Sequence, residues 1–249
     1  MHKLSGVFLL ALLMVFFTSC SSSRKLASGF VSGSSLQTGV YLRPAGYIEK
    51  VNMRRFPSTV FEGLSRDGRD SLRLAQSLFL KNISDSVFLE LFFNAYLEEM
   101  NALGLRVCLE PTDSLVCPPL PESYSVSVEQ MELREFVLRM TDEQYIYNAL
   151  YQKDFELNAL SLHVGFGITR YGEKPGERVL YAENYISDDV RKSGFGEDRN
   201  SGKILHYNDI DRMNHDKVYH MATALGRKYA SFTYDYLMNA FVYRSLKGK

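Results

Sequence analysis

The chain has 249 residues, 45% apolar and 23% charged, a balance that suits a globular protein with its own core and not a disordered or fibrous one. Lys and Arg together number 29, and so do Asp and Glu, so no basic surplus points to nucleic acid or to an anionic membrane surface. Tyr and Phe number 16 each, which favours strands.

Met1, His2 and Lys3 precede an apolar run from Val7 to Phe17, and Thr18-Ser19 lead into Cys20. A basic start, a short apolar stretch and small residues before a cut are the parts of a secretion signal. The run is shorter than the roughly 20 residues a membrane-spanning helix needs. Residues 1–19 are therefore expected to be removed as a signal peptide, taking Lys3 and no acid with them. Phe17-Thr18-Ser19-Cys20 resembles the lipobox of bacterial lipoproteins, with Phe17 where Leu is usual. The resemblance implies that Cys20 takes a diacylglyceryl group on its thiol and, after cleavage, a further acyl chain such as palmitate on its amine. Each buried methylene contributes only about 0.8 kcal/mol, so it takes two or more chains to hold a protein firmly. Residues 20–36, with Ser21-Ser22-Ser23 followed by Arg24 and Lys25, are expected to be a flexible lipidated tether, and 37–249 a single globular domain. The stretch after Cys20 lacks the acidic cluster that resembles a surface-export signal, which points to an outer-membrane protein facing the periplasm.

From Gly39 to Met53, short apolar pieces broken by Pro44 and Gly46 support at most an edge strand. Arg66-Asp67-Gly68-Arg69-Asp70 is a turn signal. Leu72, Leu74, Leu78 and Leu80 then keep a two-residue phase broken at Gln76, which suits a strand and leaves a helix open. Ser84 or Asp85 can cap a helix. Leu89, Phe93, Tyr96, Leu97, Met100 and Leu103 follow at helical spacing, and Gly104 is placed to end it. Arg106–Leu109 reads as a short strand, and Pro118, Pro119 and Pro121 as a loop.

Cys108 and Cys117 are the two thiols left beside Cys20. In an exported protein they form either a bridge across a fold-back at Thr112-Asp113 or two separate buried thiols.

Tyr124, Val126 and Val128 alternate with serines as a half-buried strand does. The apolar phase shifts at Met131 and Leu133 and again at Phe136 and Leu138, which predicts a bulge or bend. Tyr145 to Tyr151 and Leu160 to Ile168 are further period-two stretches in opposite phase, with a turn expected at Gln152-Lys153-Asp154. Arg178 to Ile186 reads as a strand, and the polar, Gly-rich stretch from Asp188 to Asn208 as an exposed loop. A long helix starting near Asp209 or Asn214 closes the chain, with Val218, Met221, Ala222, Leu225, Tyr229, Phe232, Tyr236 and Ala240 forming its apolar stripe. The expected fold is α+β: an antiparallel sheet with an amphipathic helix and a long C-terminal helix packed on one face.

The order Asp85–Gly104, Arg106–Leu109, Tyr124–Leu138, Tyr145–Ile168 and Val218–Tyr243, behind a lipobox, resembles the auxiliary lipoproteins of ABC-type envelope transporters and the lipopolysaccharide-assembly lipoproteins. That likeness rests on pattern and has no diagnostic motif. It implies a non-catalytic partner of an envelope complex.

Motifs for chemistry are weak. Gly165-Phe166-Gly167-Ile168 misses the dinucleotide spacing and lies within a strand pattern, so close packing or a bend is expected there. His163, His206, His215 and His220 form no metal motif, and no nucleophile elbow is present. Glu98-Glu99 and Asp188-Asp189 are neighbours that point apart. Asp70-Ser71-Leu72, Asp85-Ser86-Val87 and Asp113-Ser114-Leu115 resemble loose O-glycosylation triplets, of a kind that chance also produces.

No catalytic residue, metal or cofactor is therefore expected. The leading expectation is a non-enzymatic accessory or scaffold lipoprotein that binds another envelope protein or a lipid-like ligand. The rival is a glycan- or peptide-processing enzyme with its site near residues 188–208. Tyr219 and Tyr234 fall outside the apolar stripe of the last helix, so they are expected either to form an exposed partner-binding face or to pack under loops.

Overall fold

The computed structural model describes residues 23–34, 37–110, 120, 122–173 and 180–247. Its fold is α+β, organised by two long strands, β4 (Glu122–Ile146) and β5 (Ala149–Arg170). They pair antiparallel from Tyr124↔Arg170 to Ile146↔Ala149. Tyr147 and Asn148, both at positive φ (50° and 60°), make the two-residue turn between them. The expected turn at Gln152-Lys153-Asp154 is thus strand, and the fold-back falls five residues earlier.

β6 (Leu180–Ser187) adds antiparallel to β5. On the other side the pairing is parallel: β1 (Thr38–Arg43) lies between β3 (Arg106–Leu109) and the start of β4, and β2 (Glu49–Asn52) joins β4 further along. The sheet is therefore mostly antiparallel, as expected, with parallel pairing at the edge that holds β1, β2 and β3. Parallel neighbours need a long crossover, and the helices between β2 and β3 supply it.

α2 (Arg66–Ala75) replaces the expected turn and strand. Ser65 caps it, its hydroxyl accepting the N–H of Gly68 at 3.2 Å, so the Arg66–Asp70 stretch becomes the first turns of a helix. α3 (Asp85–Ala102) begins at its Ser84 cap, and Gly104 follows it at φ 85°. Phe88 and Phe92 join Phe93, Tyr96 and Met100 on its buried side. α4 (His215–Lys247) starts after Asn214, whose side chain accepts the N–H of Lys217 at 2.9 Å.

α3 and α4 lie together on one face of the sheet. Tyr96 stacks near Phe166, with ring centroids 6.1 Å apart, and the Tyr229 hydroxyl donates to the Leu162 carbonyl at 3.2 Å. Burial pushes the Tyr229 phenol up to about 12. The helices approach closely at Gly226, where a Cβ would stand 2.3 Å from the Phe92 carbonyl oxygen.

Residues 23–29 form a helix, α1, continued by a π-turn at Phe30–Ser34. Over residues 23–34 this replaces the expected flexible tether with helix; the rest of the 20–36 stretch lies outside the described residues. Phe30 is 1% exposed and packs 5.5 Å from Tyr234 and 5.4 Å from Phe241, because one buried aromatic is enough to dock a short segment on α4.

Residues 188–208, expected as a loop, hold most of a second, two-stranded sheet: β7 (Asp189–Glu197) and β8 (Ile204–Asp211). Gly194 and Gly196 lie within β7, facing Tyr207 and Leu205, while Asp198 and Gly202 make the turn. Asp198 accepts from the N–H of Asn200 and the hydroxyl of Ser201, and Gly202 sits at φ 66°.

Candidate functional site

Two surfaces stand out, and both arise from β4 and β5. The first is an arm. Beyond Glu135 on β4 and before Ala159 on β5, these strands pair only with each other among the described residues. Eleven residues of β4 and ten of β5 then project roughly 35 Å. The β7–β8 hairpin braces this arm. Asp142 accepts from Ser193 (3.0 Å) and pairs with His206 (2.7 Å), Gln144 accepts the N–H of Phe195 (3.1 Å), and the Phe195 ring lies 5.8 Å from Tyr151. At the tip, Tyr145 and Tyr147 are 75% and 81% exposed, and Leu150 is also exposed.

The second surface is a cleft of about 560 Å³ on the sheet face away from the helices. It starts from the predicted bulge. The β4–β5 register shifts between Val128 and Gln130, which leaves Glu129 as the extra residue. The Ser127 hydroxyl lies 3.5 Å from the Glu129 carboxylate and 3.4 Å from the Gly167 carbonyl. At Gly167 a Cβ would lie 2.3 Å from Glu129 Oε1 and 2.7 Å from the Ser127 hydroxyl, so glycine is what lets the carboxylate lie down on the sheet. The expectation of close packing at Gly165–Ile168 is met there. Ser125 and Thr169 extend the floor, and Tyr171, stacked 4.3 Å from Tyr41, closes one end.

The second phase shift in β4 has a different cause. Register is continuous from Gln130 onward, and Glu135, not an apolar residue, takes the inward place. Its carboxylate accepts the N–H groups of Leu78 (2.8 Å) and Phe79 (2.9 Å), with Arg54 3.9 Å away. That is a structural use.

On the face away from the helices, a histidine is likewise engaged. His163 is 3% exposed, with Nε2 2.8 Å from the Ser161 hydroxyl and Nδ1 bonded to the Tyr181 hydroxyl. Burial, then the Arg134 charge, lower its pKa against the pull of Glu183 and Glu132. With Ser161 at 2% exposure and both ring nitrogens bonded, this pair pins strands together. Among the described residues no three His, Cys, Asp or Glu side chains are grouped to hold a metal, and no helix is long and apolar enough to cross a membrane.

The sequence-derived site residues fare differently. Tyr234 is 8% exposed against Phe30, and Tyr219 packs on the core with its hydroxyl accepting the N–H of Ser84 at 3.0 Å. Neither lies on an exposed face, because α3 and α1 cover the sides of α4 that a single stripe leaves open. The exposed tyrosines at the arm tip were missed. The signal available was Tyr147-Asn148, a two-residue turn between alternating strands.

Cys108 is disulfide-bonded, while Cys20 and Cys117 lie outside the described residues, as does the Asp113-Ser114-Leu115 triplet. Ser71 is exposed midway along α2 and Ser86 at the start of α3. In the 188–208 region Asp188 is buried and Asp189 exposed, so the two carboxylates do point apart.

No family model matches the chain, and no curated protein does. Among solved structures, a neuraminyllactose-binding hemagglutinin homolog from Helicobacter pylori aligns over 83% of this chain and 90% of its own, at 8% identity and a TM-score of 0.35. A likeness that loose transfers neither fold family nor ligand.

Proposed function

We propose that the chain is a non-enzymatic, lipid-anchored accessory or scaffold protein of the bacterial envelope that engages another envelope protein through its two-hairpin arm. The arm tip carries this reading: Tyr145, Tyr147 and Leu150 are exposed at the end of a braced projection, far from the core, and only the Tyr147 hydroxyl is tied down, donating to Glu197 of the bracing hairpin at 3.1 Å. Exposed tyrosine brings large contact area with a polar tip, the composition of interface cores. The lipobox at Cys20 supplies the membrane link. Phe30, docked on α4, limits the reach from Cys20 to at most roughly 35 Å, so the domain rides close to the bilayer with its arm free to extend.

The test is site-specific photo-crosslinking in intact cells. A photoreactive residue at position 147 should give a discrete adduct with another envelope protein, and Tyr145→Ser with Leu150→Ser should abolish it. No adduct from position 147, or an adduct undiminished by those changes, overturns the reading.

A further inference from the structure

We propose that two copies of this chain pair through the free edge of β6, joining their sheets into one across a two-fold axis. β6 is the last strand on its side of the main sheet and, among the described residues, pairs with β5 alone. The Asp188 N–H donates to the Asn158 carbonyl at 2.9 Å, continuing the register Ala159↔Ser187. Hydrogen-bonded and non-hydrogen-bonded pairs alternate along an antiparallel ladder. Ala182, Asn184 and Ile186 therefore turn their backbone groups to β5, while Tyr181, Glu183 and Tyr185 turn theirs outward. Such an edge is normally blunted by Lys, Pro, a bulge or shortness. β6 has eight residues in unbroken register, with Glu183 its sole charge and no proline.

Charge and symmetry select the occupant and its register. In a two-fold antiparallel pair, residues with outward backbone groups must face one another. Centring on Glu183 would set two carboxylates opposite each other, which destabilises. Centring on Asn184 sets Glu183 against Tyr185 of the second copy, twice, and Tyr181 against Ser187, twice, so the full outward edge is used. A second copy is thus a strand whose charge and length match this edge, and a two-fold contact buries the same patch on both. The helix layer leaves room for it. The Tyr229 hydroxyl donates to Leu162 of β5 and accepts from the Asn184 amide at 3.3 Å, so α4 sits over β5 and β6 and not beyond the edge. Beside it lies an apolar groove of about 390 Å³ walled by Ile186, Met221 and Ala224. Pairing brings the groove of each copy beside β6 of the other, which removes apolar surface from water. Because the axis is normal to the sheet, the two arms point in opposite directions.

Sedimentation of the detergent-solubilised full chain at matched solvent density tests the pairing, together with oxidative cross-linking of single cysteines. The parent should have the mass of two chains. Asn184→Cys should give a disulfide-linked dimer, because the two residues on the axis face each other within bridging distance, and Glu183→Cys should not. Tyr185→Glu sets like charges across the joint and should weaken pairing about tenfold or more, whereas Tyr185→Lys should preserve it. Tyr185 is 59% exposed, so both variants should melt as the parent does. A parent of single-chain mass, a link through Glu183→Cys, none through Asn184→Cys, or pairing indifferent to Tyr185→Glu would each overturn the proposal. The arm-tip variants should pair normally, so this contact and the arm reading stand or fall separately.

Discussion

Asp188 accepts the backbone N–H of Met213 at 2.7 Å, joining the start of the bracing hairpin to the entrance of the long C-terminal helix. The same buried carboxylate accepts the N–H and side-chain amide of Asn158 (2.8 and 2.9 Å) and the Arg212 guanidinium (2.7 Å). The base of the arm, the second sheet and the helix thus converge on one side chain. With this many donors filling its lone pairs it is a structural hub, and the enzyme reading loses its most buried carboxylate in the 188–208 region.

Asp188→Ala should therefore lower stability by about 2–3 kcal/mol in urea denaturation, since it strands buried donors. Burial pushes this carboxyl up, but the Met213 and Asn158 N–H groups and Arg212 outweigh it and hold the pKa below the ordinary range. A depressed folded-state value means that the contribution is complete above the unfolded pKa, near 3.9, and is lost as pH falls through the folded one. Acid titration from about pH 5 downward should show that loss in the parent and not in Asp188→Asn. An identical acid profile in the two proteins would refute the assignment.

Gly226→Ala should destabilise by about 1–3 kcal/mol, the usual range for overpacking. The added methyl would meet the Phe92 carbonyl at 2.3 Å, and a backbone oxygen within a helix cannot swing aside. Replacing a mid-helix glycine with alanine normally stabilises, so a rise in melting temperature would mean that the helices can separate freely.

Phe30→Ala should cost about 3 kcal/mol if the segment stays docked, and less if it peels away. Limited proteolysis distinguishes the two, because peeling opens residues 23–34 to cleavage. Tyr234→Ser should lower stability in the same direction, because it removes the other half of that contact. A melting temperature unchanged in both variants would return residues 20–36 to the status of a loose tether.

Cys20→Ala should abolish palmitate labelling and release the protein from the membrane fraction, or leave the signal uncut. Thiol labelling of the unreduced, denatured mature protein should find neither Cys108 nor Cys117 free if they bridge each other. Reactive Cys117 would assign the Cys108 bridge to a different partner.

Local signals in the sequence were enough for α3, β3 and α4: in α3 a capping serine and a following glycine, and in both helices a run of helical spacing, act within a few residues and need no distant contact. The bulge in β4 was legible for the same reason, since a skipped residue leaves a phase change in the apolar pattern. What the bulge is for was not legible. Glu129 lies against Gly167, 38 residues downstream in sequence and across a strand pair, and no local pattern records that approach. Asp188 read as one of two neighbouring acids pointing apart, and Glu135 drew no notice, because nothing nearby in sequence marks the distant N–H groups they satisfy. Tyr219 and Tyr234 looked exposed because a helical stripe counts one partner face, whereas α4 is covered by the sheet, by α3 and by Phe30. By itself the sequence determined α3, β3, α4 and the bulge in β4, while α2 and the β7–β8 sheet escaped it. Which side chains meet, and so which surfaces remain for a partner or a ligand, was decided by long-range packing that brings residues far apart in the chain into contact.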